Sequence, residues 1–444
     1  MKNFHEQFKG KKITVMGLGL LGRGIGDVRF LARAGAELIV TDLKSKEELA
    51  SSLEDLTEFP HITYVLGEHR LEDFRDRDMI LKAAGVPLNS PYIAEARANN
   101  IPVEMSAALF ARLSGIPIIG VTGTRGKSTV THLIHHVLSQ ATEEKVLLGG
   151  NVRGVSNLAL FDEVNDDSLA VMELDSWQLQ GFGEAKISPK ISVFTNFMDD
   201  HLNYYGGDRD AYFADKAQIF LHQDSGDTFV TTPAVLERAE AYAKSRGATF
   251  PQEVVLVDDS LVPEEWIVPI PGEHNRLNVA LALAALRATS LPDELIRVGI
   301  ETFPGVAGRL EFIGERKGVK IYNDNNATTP EATIAALKAV SDGRNIVLIM
   351  GGSAKGTDME KLFELMPEYV KDMVFLPGTG TDAVKKYAPQ VPVAASMKEA
   401  VEMAAERAED GDVLLFSPAF ASFGLFKNEY DRGDQFIEAI RALP

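Results

Sequence analysis

A glycine-rich segment in the first third of the chain combines a lysine and hydroxyl residues in an order that binds nucleotide phosphates. Residues 123–129 read GTRGKST and follow an apolar run at residues 116–121. In such a loop the backbone N–H groups surround the phosphates, the lysine contacts the β and γ oxygens, and the next hydroxyl ligates Mg²⁺. Val121 stands where the strict spacing has a glycine, so we interpret the segment as a variant phosphate loop. The residues that we assign to ATP in this loop are Gly123, Thr124, Gly126, Lys127, Ser128 and Thr129.

Acidic residues end two further apolar runs. Glu173 closes the run at residues 169–172, and the letters DDH at residues 199–201 follow the run at residues 191–196. Taken alone, each has a simpler interpretation as a solvated turn. The carboxyl ends of parallel strands meet at one edge of a sheet, however, so these side chains could converge with the phosphate loop on one crevice. Carboxylate oxygens are hard ligands of the kind that Mg²⁺ prefers.

A second glycine cluster lies near the start of the chain. Residues 17–22 read GLGLLG after a short apolar run, and Asp42 stands twenty residues beyond Gly22. Glycines at such a turn let the backbone approach a phosphate at the N-terminus of the next helix, and an acid at Asp42 could accept a hydrogen bond from a ribose. The pattern fits a nicotinamide dinucleotide, a nucleotide sugar, or the packing of a helix on a strand. Spacing alone does not separate these three interpretations.

Strands and helices must alternate to position these motifs. In the first two blocks, apolar runs predict strands at residues 12–16, 37–41, 79–84, 101–104, 116–121, 169–174 and 191–196. In the third block, the predicted strands are at residues 319–322, 345–350, 373–376 and 412–416, with helices at residues 330–340 and 359–369. Residues 223–271 predict a loop or edge segment, and residues 275–289 predict a buried helix. This alternation is typical of α/β folds with parallel sheets.

Length and composition limit the class of protein. The chain has 444 residues, which favours about three domains. Its formal charge of −19 disfavours binding to a polymer of phosphates, and the absence of cysteine excludes disulfides and thiolate sites. Neither an apolar run of about 18 residues nor a signal peptide is visible. We therefore expect a cytoplasmic protein that handles small molecules, without a nucleic-acid partner and without insertion into a membrane.

Seven motifs together resemble the Mur ligases. They occur in the family's order along almost the whole chain, at residues 122–129, 173–179, 196–201, 272–278, 308–311, 323–328 and 417–422. Within the family, the GLG start, the GGN at residues 149–151 and the segment at residues 422–433 resemble the MurD type. The resemblance implies an α/β fold of three domains. These are a Rossmann-like UDP-sugar-binding domain (residues 1–105), a central P-loop ATPase-like domain that binds ATP (106–305) and a Rossmann-like C-terminal domain that binds the amino acid (306–444).

The resemblance also implies roles for individual residues. Those expected near the UDP-sugar are Gly17, Leu20, Leu21, Asp42 and Asn151. Those expected to contact ATP outside the phosphate loop are Asn278, Arg309 and Asp324. The implied ligands of two Mg²⁺ ions are Ser128, Glu173, His201 and a carbamylated Lys216. The catalytic set is Lys127, Glu173, His201 and Lys216, and the residues expected to hold the amino acid are Thr328, Lys355 and Ser422.

The implied activity is ATP-dependent addition of D-glutamate to UDP-N-acetylmuramoyl-L-alanine through an acyl phosphate, in peptidoglycan precursor synthesis. We expect a monomer, because neither an exposed apolar patch nor a heptad repeat is readable in the sequence. Some positions depart from the family pattern: Asn326 replaces a common lysine, Glu429 replaces an aromatic residue, and Arg125 replaces an asparagine. L-glutamate or another amino acid is therefore an alternative substrate. A second alternative is a non-catalytic regulator that binds a dinucleotide through the first glycine cluster alone.

Overall fold

The chain forms two compact units, as seen in a computed structural model that describes residues 3–20, 22–200, 204–247 and 250–443. The first unit comprises residues 1–264 and 277–299, and the second comprises residues 265–276 and 300–444. Among the described residues, none of the helices is both long enough and apolar enough to cross a membrane. Both units are built on sheets of mostly parallel strands that alternate with helices, which confirms the predicted α/β class.

The first sheet of the first unit has five parallel strands in the order β3-β2-β1-β4-β5. Its strands are β1 Lys12–Met16, β2 Glu37–Asp42, β3 Thr63–Leu66, β4 Met79–Lys82 and β5 Val103–Glu104. The helices that follow them are α1 Arg23–Arg33, α2 Ala50–Glu54, α3 Pro91–Ala98 and α4 Ser106–Ser114. The strand order reverses between β1 and β4, and the first glycine cluster follows β1 at that point. In open α/β sheets this reversal is where ligands bind.

The second sheet of the first unit has six parallel strands in the order β11-β10-β9-β6-β8-β7. Its strands are β6 Ile118–Thr122, β7 Val146–Gly150, β8 Leu169–Glu173, β9 Ile191–Phe194, β10 Thr228–Thr231 and β11 Glu253–Leu256. The helices after β6 are α5 Lys127–Ala141, α6 Ser176–Ala185, α7 Arg209–Ala217, α8 Pro233–Ser245, α9 Glu273–Arg287 and α10 Asp293–Glu301. Most of α9 is buried, as predicted.

For residues 223–271 the expectation was a loop or edge segment. The edge is confirmed, because β11 is the edge strand of the second sheet, whereas a loop was wrong for the first part. Strand β10, helix α8 and strand β11 form a regular unit there. Pro233 lies in the first turn of α8, where an N–H would have no partner within the helix, so this proline starts the helix rather than breaking it. The strands have four residues each, and β11 is partly exposed at the sheet edge, which makes their apolar pattern weak.

Helix α1 joins the two sheets of the first unit. The Asp27 carboxylate accepts hydrogen bonds from Ser156 Oγ at 2.7 Å and from the Leu158 N–H at 3.1 Å. The Phe30 and Phe161 rings lie 5.5 Å apart between their centroids, and Phe161 also packs against rings on either side. Burial raises the pKa of the Asp27 carboxyl, while the Ser156 and Leu158 donors lower it. The segment after β7 is therefore held on α1 by both polar and aromatic contacts.

The second unit contains one five-stranded sheet in the order β12-β13-β16-β14-β15. Its strands are β12 Glu311–Arg316, β13 Val319–Asn323, β14 Ile346–Gly351, β15 Val370–Leu376 and β16 Val413–Phe416. Its helices are α11 Pro330–Val340, α12 Glu360–Tyr369, α13 Thr379–Val384, α14 Met397–Arg407 and α15 Glu429–Ala442. Strand β12 was not predicted, because it is a half-exposed edge strand that pairs antiparallel with β13 across a two-residue turn. The domain boundaries near residues 105 and 305 stay a prediction.

Candidate active site

The phosphate loop joins β6 to α5 at the carboxyl edge of the second sheet. Gly126 precedes α5 with a φ of 84°, and Gly123 has a φ of 145°. A Cβ atom on Gly123 would overlap Thr195 Oγ1, and one on Gly126 would overlap the Asn278 side chain. Both positions therefore need glycine for backbone conformation and for space. The resulting turn directs the free N–H groups of α5 into the loop, where an anion is favoured.

Hydrogen bonds fix the phosphate loop internally and attach it to the segment that follows β9. Lys127 Nζ donates to the carbonyls of Gly123 at 3.1 Å and Thr124 at 3.2 Å. Thr124 Oγ1 accepts from the Met198 N–H at 2.9 Å, and the Arg125 N–H donates to Asn196 Oδ1, also at 2.9 Å. The loop conformation is thus determined by residues that follow β9. The predicted convergence with the phosphate loop is confirmed for the strand end at residues 191–196.

The Arg125 guanidinium, whose position the sequence did not determine, forms an ion pair with Asp200 at 3.2 Å. The neighbouring acid Asp199 pairs with Arg209 at 2.6 Å. Both acids that precede His201 are therefore engaged by arginines. His201 itself lies outside the described residues, as does Leu21, so neither predicted role is addressed by the structure.

Glu173 lies beside the phosphate loop, because it ends β8 and pairs in register with Val121 of β6. The side chain is buried, and its Oε1 atom accepts from Asn151 Nδ2 at 3.3 Å. Ser128 lies in the first turn of α5 and is also buried. Glu173 and Ser128 supply hard oxygen donors of the kind that Mg²⁺ takes. The part of the chain that the structure describes contains no group of three or more His, Cys, Asp or Glu side chains arranged for a metal.

Lys216 on α7 has its ammonium group in the interior, next to the phosphate loop. Its side chain is 1% exposed, and Nζ donates to the Gly123 carbonyl at 2.8 Å and lies 5.0 Å from the centre of the Tyr212 ring. Burial, and then the nearby Lys127 charge, lower the pKa of Lys216 well below its ordinary value, although neighbouring carboxylates oppose this. A lysine in this environment is readily neutral and nucleophilic.

The first glycine cluster, at residues 17–22, also forms a glycine-rich turn before a helix. Gly17, Gly19 and Gly22 all have positive φ, and Gly22 precedes α1. The buried Asp42 carboxylate accepts from the Gly19 N–H at 3.1 Å and from the Lys44 N–H at 2.9 Å. Asp42 therefore holds the turn in place, a role that its spacing did not predict. The exposed Leu20 side chain lies on the same turn.

In the second unit, Asp324 follows β13 and is buried. Its Oδ1 atom accepts from the Leu310 N–H at 3.1 Å, and its Oδ2 atom accepts from Ser417 Oγ at 2.9 Å. Burial raises the pKa of the Asp324 carboxyl to about 7, although these two donors and Arg309 lower it. Asp324 and Arg309 are thus close to each other, and their assignment to ATP stays a prediction. Asn278 belongs to the first unit and lies against Gly126.

The three residues predicted to hold an amino acid lie on neighbouring loops of the second unit. Lys355 Nζ donates to Thr328 Oγ1 at 2.8 Å. Ser353, two positions before Lys355, pairs through its backbone with Ala421, the residue before the buried Ser422. The structure therefore brings together residues that are far apart in the sequence.

Arg432 lies in the MurD-type segment at residues 422–433, but the sequence analysis gave it no role of its own. Its fully buried guanidinium donates to Asn325 Oδ1 at 2.7 Å, to the Asn325 carbonyl at 2.8 Å and to the Phe420 carbonyl at 2.9 Å. These bonds fix the loop after β13 against the loop after β16. A signal was present, because Arg432 falls on the apolar face of α15 with Phe436 and Ile440, and a charge there requires buried partners.

Comparison with known proteins gives matches to three family descriptions. These are the Mur ligase MurD-like N-terminal domain at residues 11–104, the Mur ligase middle domain at residues 121–250 and the Mur ligase glutamate ligase domain at residues 308–420. A UDP-N-acetylmuramoylalanine–D-glutamate ligase of Roseiflexus sp. (strain RS-1) is 38% identical over 98% of this chain and 100% of its own length. The chain belongs to the Mur ligase family. A ligase of the same name from Borreliella burgdorferi (strain ATCC 35210 / DSM 4680 / CIP 102532 / B31) is 35% identical over 99% of each protein.

Solved structures of Mur ligases share the fold at low identity. UDP-N-acetylmuramate-alanine ligase MurC from Thermotoga maritima is 19% identical with a TM-score of 0.61, covering 97% of this chain and 99% of that one. The MurF ligase of Thermotoga maritima in complex with ADP is 15% identical with a TM-score of 0.57, covering 99% of this chain and 98% of that one. The predicted family, its MurD-type likeness and the activity class of an ATP-dependent ligase are confirmed. A non-catalytic regulator is no longer an alternative.

Asp324 makes stability depend on pH in a predictable direction. Its folded pKa of about 7 lies above the ordinary value of 3.8, so the folded state binds more protons between these limits. This group therefore contributes stability that is lost as pH rises through that window. Asp324→Asn removes the titration, so its stability relative to wild type should improve by up to about 1.4 kcal/mol per pH unit from pH 5 to pH 7.

Thermal and urea unfolding at several pH values measure this difference. Asp342→Asn, at an exposed position of the same unit, is the matched control and should follow the wild-type pH dependence. A constant offset between Asp324→Asn and wild type across this pH range would contradict the assignment.

Proposed function

We propose that this protein forms an amide bond between the carboxylate of UDP-N-acetylmuramoyl-L-alanine and the amine of D-glutamate, at the expense of ATP. The observation that carries the proposal is the convergence of Lys127, Glu173 and Lys216 around one phosphate loop. The names of the relatives from Roseiflexus and Borreliella support this pair of substrates. The match of residues 11–104 to the Mur ligase MurD-like N-terminal domain supports the nucleotide sugar as the ligand of the first glycine cluster.

The reaction has two steps. An oxygen of the substrate carboxylate attacks the γ-phosphorus of ATP, ADP leaves, and an acyl phosphate forms. The glutamate amine then attacks the acyl carbon, and inorganic phosphate leaves. The first step brings one anion to another, so cationic and N–H groups must stabilise the charge that is shared in the transition state. Lys127 and the N-terminus of α5 lie where they can do this.

We propose that the site takes two Mg²⁺ ions, which would supply further charge neutralisation on the phosphates when bound. Ser128 and Glu173 would hold one ion, and His201 with a carbamylated Lys216 would hold the other. Carbamylation joins the neutral amine nitrogen to CO₂ and releases one proton, so a cation becomes a carboxylate-like oxygen ligand. The buried position of Lys216 supports this chemistry, because the uncharged amine is the form that reacts.

The nucleotide sugar is proposed to bind along the turn at Gly17, Leu20 and Asp42 and to extend to Asn151. The glutamate is proposed to bind at Thr328, Lys355 and Ser422. We further propose that the enzyme is a monomer with three domains divided near residues 105 and 305. It would work in the cytoplasm, where ATP and the UDP-linked substrate are available.

The amino-acid pocket differs from the family pattern at Asn326. The Asn326 N–H donates to the Gly308 carbonyl at 2.9 Å, and its side chain lies near the Ala307 carbonyl. A neutral amide therefore stands where a lysine is common, and Lys355 is the cation that the proposal assigns to the amino-acid carboxylates. With fewer cations in the pocket, the choice among acidic amino acids depends more on the positions of Thr328 and Ser422. L-glutamate therefore stays the second candidate substrate.

A phosphate-release assay tests the substrates directly. With UDP-N-acetylmuramoyl-L-alanine, ATP and Mg²⁺, we expect D-glutamate to give the fastest release among D-glutamate and the twenty L-amino acids. The product should be identified by mass spectrometry. Faster turnover with L-glutamate would favour the second candidate, and an absence of release with every amino acid would overturn the proposed function.

Lys127→Ala tests the phosphate loop. If the ammonium acts mainly in the transition state, kcat should fall by about 10²-fold or more, with a smaller change in the KM for ATP. Lys190→Ala is the matched control, because Lys190 is exposed immediately before β9, at the amino edge of the same sheet. Activity of Lys127→Ala within twofold of wild type would contradict the role.

Carbamylation of Lys216 is measurable without turnover. We expect ¹³C NMR of the protein in ¹³C-bicarbonate to give a carbamate signal that grows with pH, because the neutral amine reacts. The signal should disappear in Lys216→Arg and persist in Lys190→Arg. Spectra of wild type and Lys216→Arg that are identical at pH 8 to 9 would exclude the modification.

A further inference from the structure

Arg23 is the first residue of α1, immediately after the last glycine of the first cluster. Its Nη1 atom donates a hydrogen bond to Asn151 Oδ1 across 128 positions of sequence. Asn151 follows β7 of the other sheet in the same unit. The contact therefore joins the proposed nucleotide-sugar turn to the sheet that carries the phosphate loop.

Asn151 in turn contacts Glu173 through two hydrogen bonds. Its side-chain Nδ2 donates to Glu173 Oε1 at 3.3 Å, and its backbone N–H donates to the Glu173 carbonyl at 2.7 Å. Glu173 is the carboxylate that ends β8 beside the phosphate loop. Arg23, Asn151 and Glu173 thus form a continuous relay of polar contacts between the two glycine-rich loops.

The chemistry of the three groups gives the relay one orientation. A guanidinium has only donors, and an ionised carboxylate has only acceptors. The Asn151 amide between them must therefore direct its oxygen to Arg23 and its NH₂ group to Glu173. Without Arg23, the amide oxygen would lose its donor, and the Glu173 carboxylate alone would orient the Asn151 side chain.

The surrounding backbone keeps the relay in place. Asp27, one turn after Arg23 on α1, binds Ser156 and Leu158 of the segment that begins at Asn151. A Cβ on Gly26 would overlap the Ser156 side chain, so the helix and the segment are in direct contact. Removal of the Arg23 guanidinium should therefore leave the segment attached to α1 while it frees the Asn151 amide.

We propose that Arg23 is a positioning residue for the ligation reaction: it orients the Asn151 amide and thereby fixes the orientation of the Glu173 carboxylate, which the strand register places beside the phosphate loop. The proposal rests on the proposed function. It goes beyond that function because none of the roles assigned above involves Arg23. Its effect should fall on turnover and on the requirement for Mg²⁺, since Glu173 is the proposed oxygen ligand. Any effect on the affinity for the nucleotide sugar should arise through Asn151, which is itself a proposed contact of that substrate.

The test compares Arg23→Met, Arg23→Lys and Asn151→Ala with the double variant Arg23→Met/Asn151→Ala. Arg33→Met, at an exposed position of the same helix, is the matched control. In Arg23→Met we expect kcat to fall by about tenfold to a hundredfold, as for loss of a charge-assisted hydrogen bond. The Mg²⁺ concentration for half-maximal rate should rise. Arg23→Lys should recover part of the rate, and the double variant should be no slower than Asn151→Ala alone.

Two measurements need no turnover. Calorimetry with UDP-N-acetylmuramoyl-L-alanine, without ATP and Mg²⁺, should give dissociation constants for Asn151→Ala and the double variant that agree within about twofold, because Arg23 acts through Asn151. Thermal unfolding of wild type, Arg23→Met, Asn151→Ala and the double variant, all free of ligand, should show that the effects of Arg23→Met and Asn151→Ala are not additive.

Unchanged kcat in Arg23→Met would overturn the proposal. Weaker binding of the nucleotide sugar by the double variant than by Asn151→Ala would also overturn it, because it would make Arg23 a direct substrate contact. Additive effects of the two substitutions on kcat would also overturn it. Wild-type protein that releases no phosphate with any amino acid would refute the proposed function instead, so the two failures are distinguishable.

Discussion

Two lysine ammonium groups share one backbone carbonyl at the centre of the site. Lys127 Nζ lies 3.1 Å from the Gly123 oxygen and Lys216 Nζ lies 2.8 Å from the same atom. Two like charges this close, one of them buried, repel each other strongly in a medium of low dielectric constant. The protein can relieve the repulsion if Lys216 loses its proton, and the direction of its pKa shift agrees with this. An ATP phosphate near Lys127 would relieve it as well.

The phosphate loop can maintain this arrangement because it cannot move far. Overlaps with Thr195 and Asn278 exclude any side chain at Gly123 and Gly126, so the loop packs directly on its neighbours. The register of β6 with β8 fixes Glu173 beside the loop, and the segment after β9 supplies Thr195 and Asn196 on the other side. Parallel strands thus determine the positions of cations and carboxylates together, and each strand end carries one part of the site.

The sequence predicted the parts of the site that depend on local patterns. The GTRGKST loop, the strand before it and the acid at Glu173 were all read from short segments, and the structure brings them together. The sequence did not predict contacts across long separations, such as the bond from Arg23 to Asn151, because nothing local specifies the partner. Burial of Lys216 had a weak signal, since α7 buries Tyr212 and Phe213 on the same face, but a lysine on a helix is usually solvated. Short edge strands such as β11 and β12 were missed because half-exposed strands lack a strong apolar pattern.

The chain is acidic, yet its proposed ligands are anions. The hydrogen-bond partners of its buried cations bear on this difference. Lys82 Nζ donates to the Val86 carbonyl at 2.9 Å and lies near two further carbonyls, and Arg432 donates to carbonyls of Asn325 and Phe420. Burial lowers the pKa of Lys82 to about 8 and that of Arg432 to about 10, so each retains much of its charge at neutral pH. A carbonyl satisfies a donor without cancelling its charge, whereas a carboxylate would cancel it. Such cations keep positive charge inside a protein of net charge −19, whose surface as a whole would repel a polymer of phosphates.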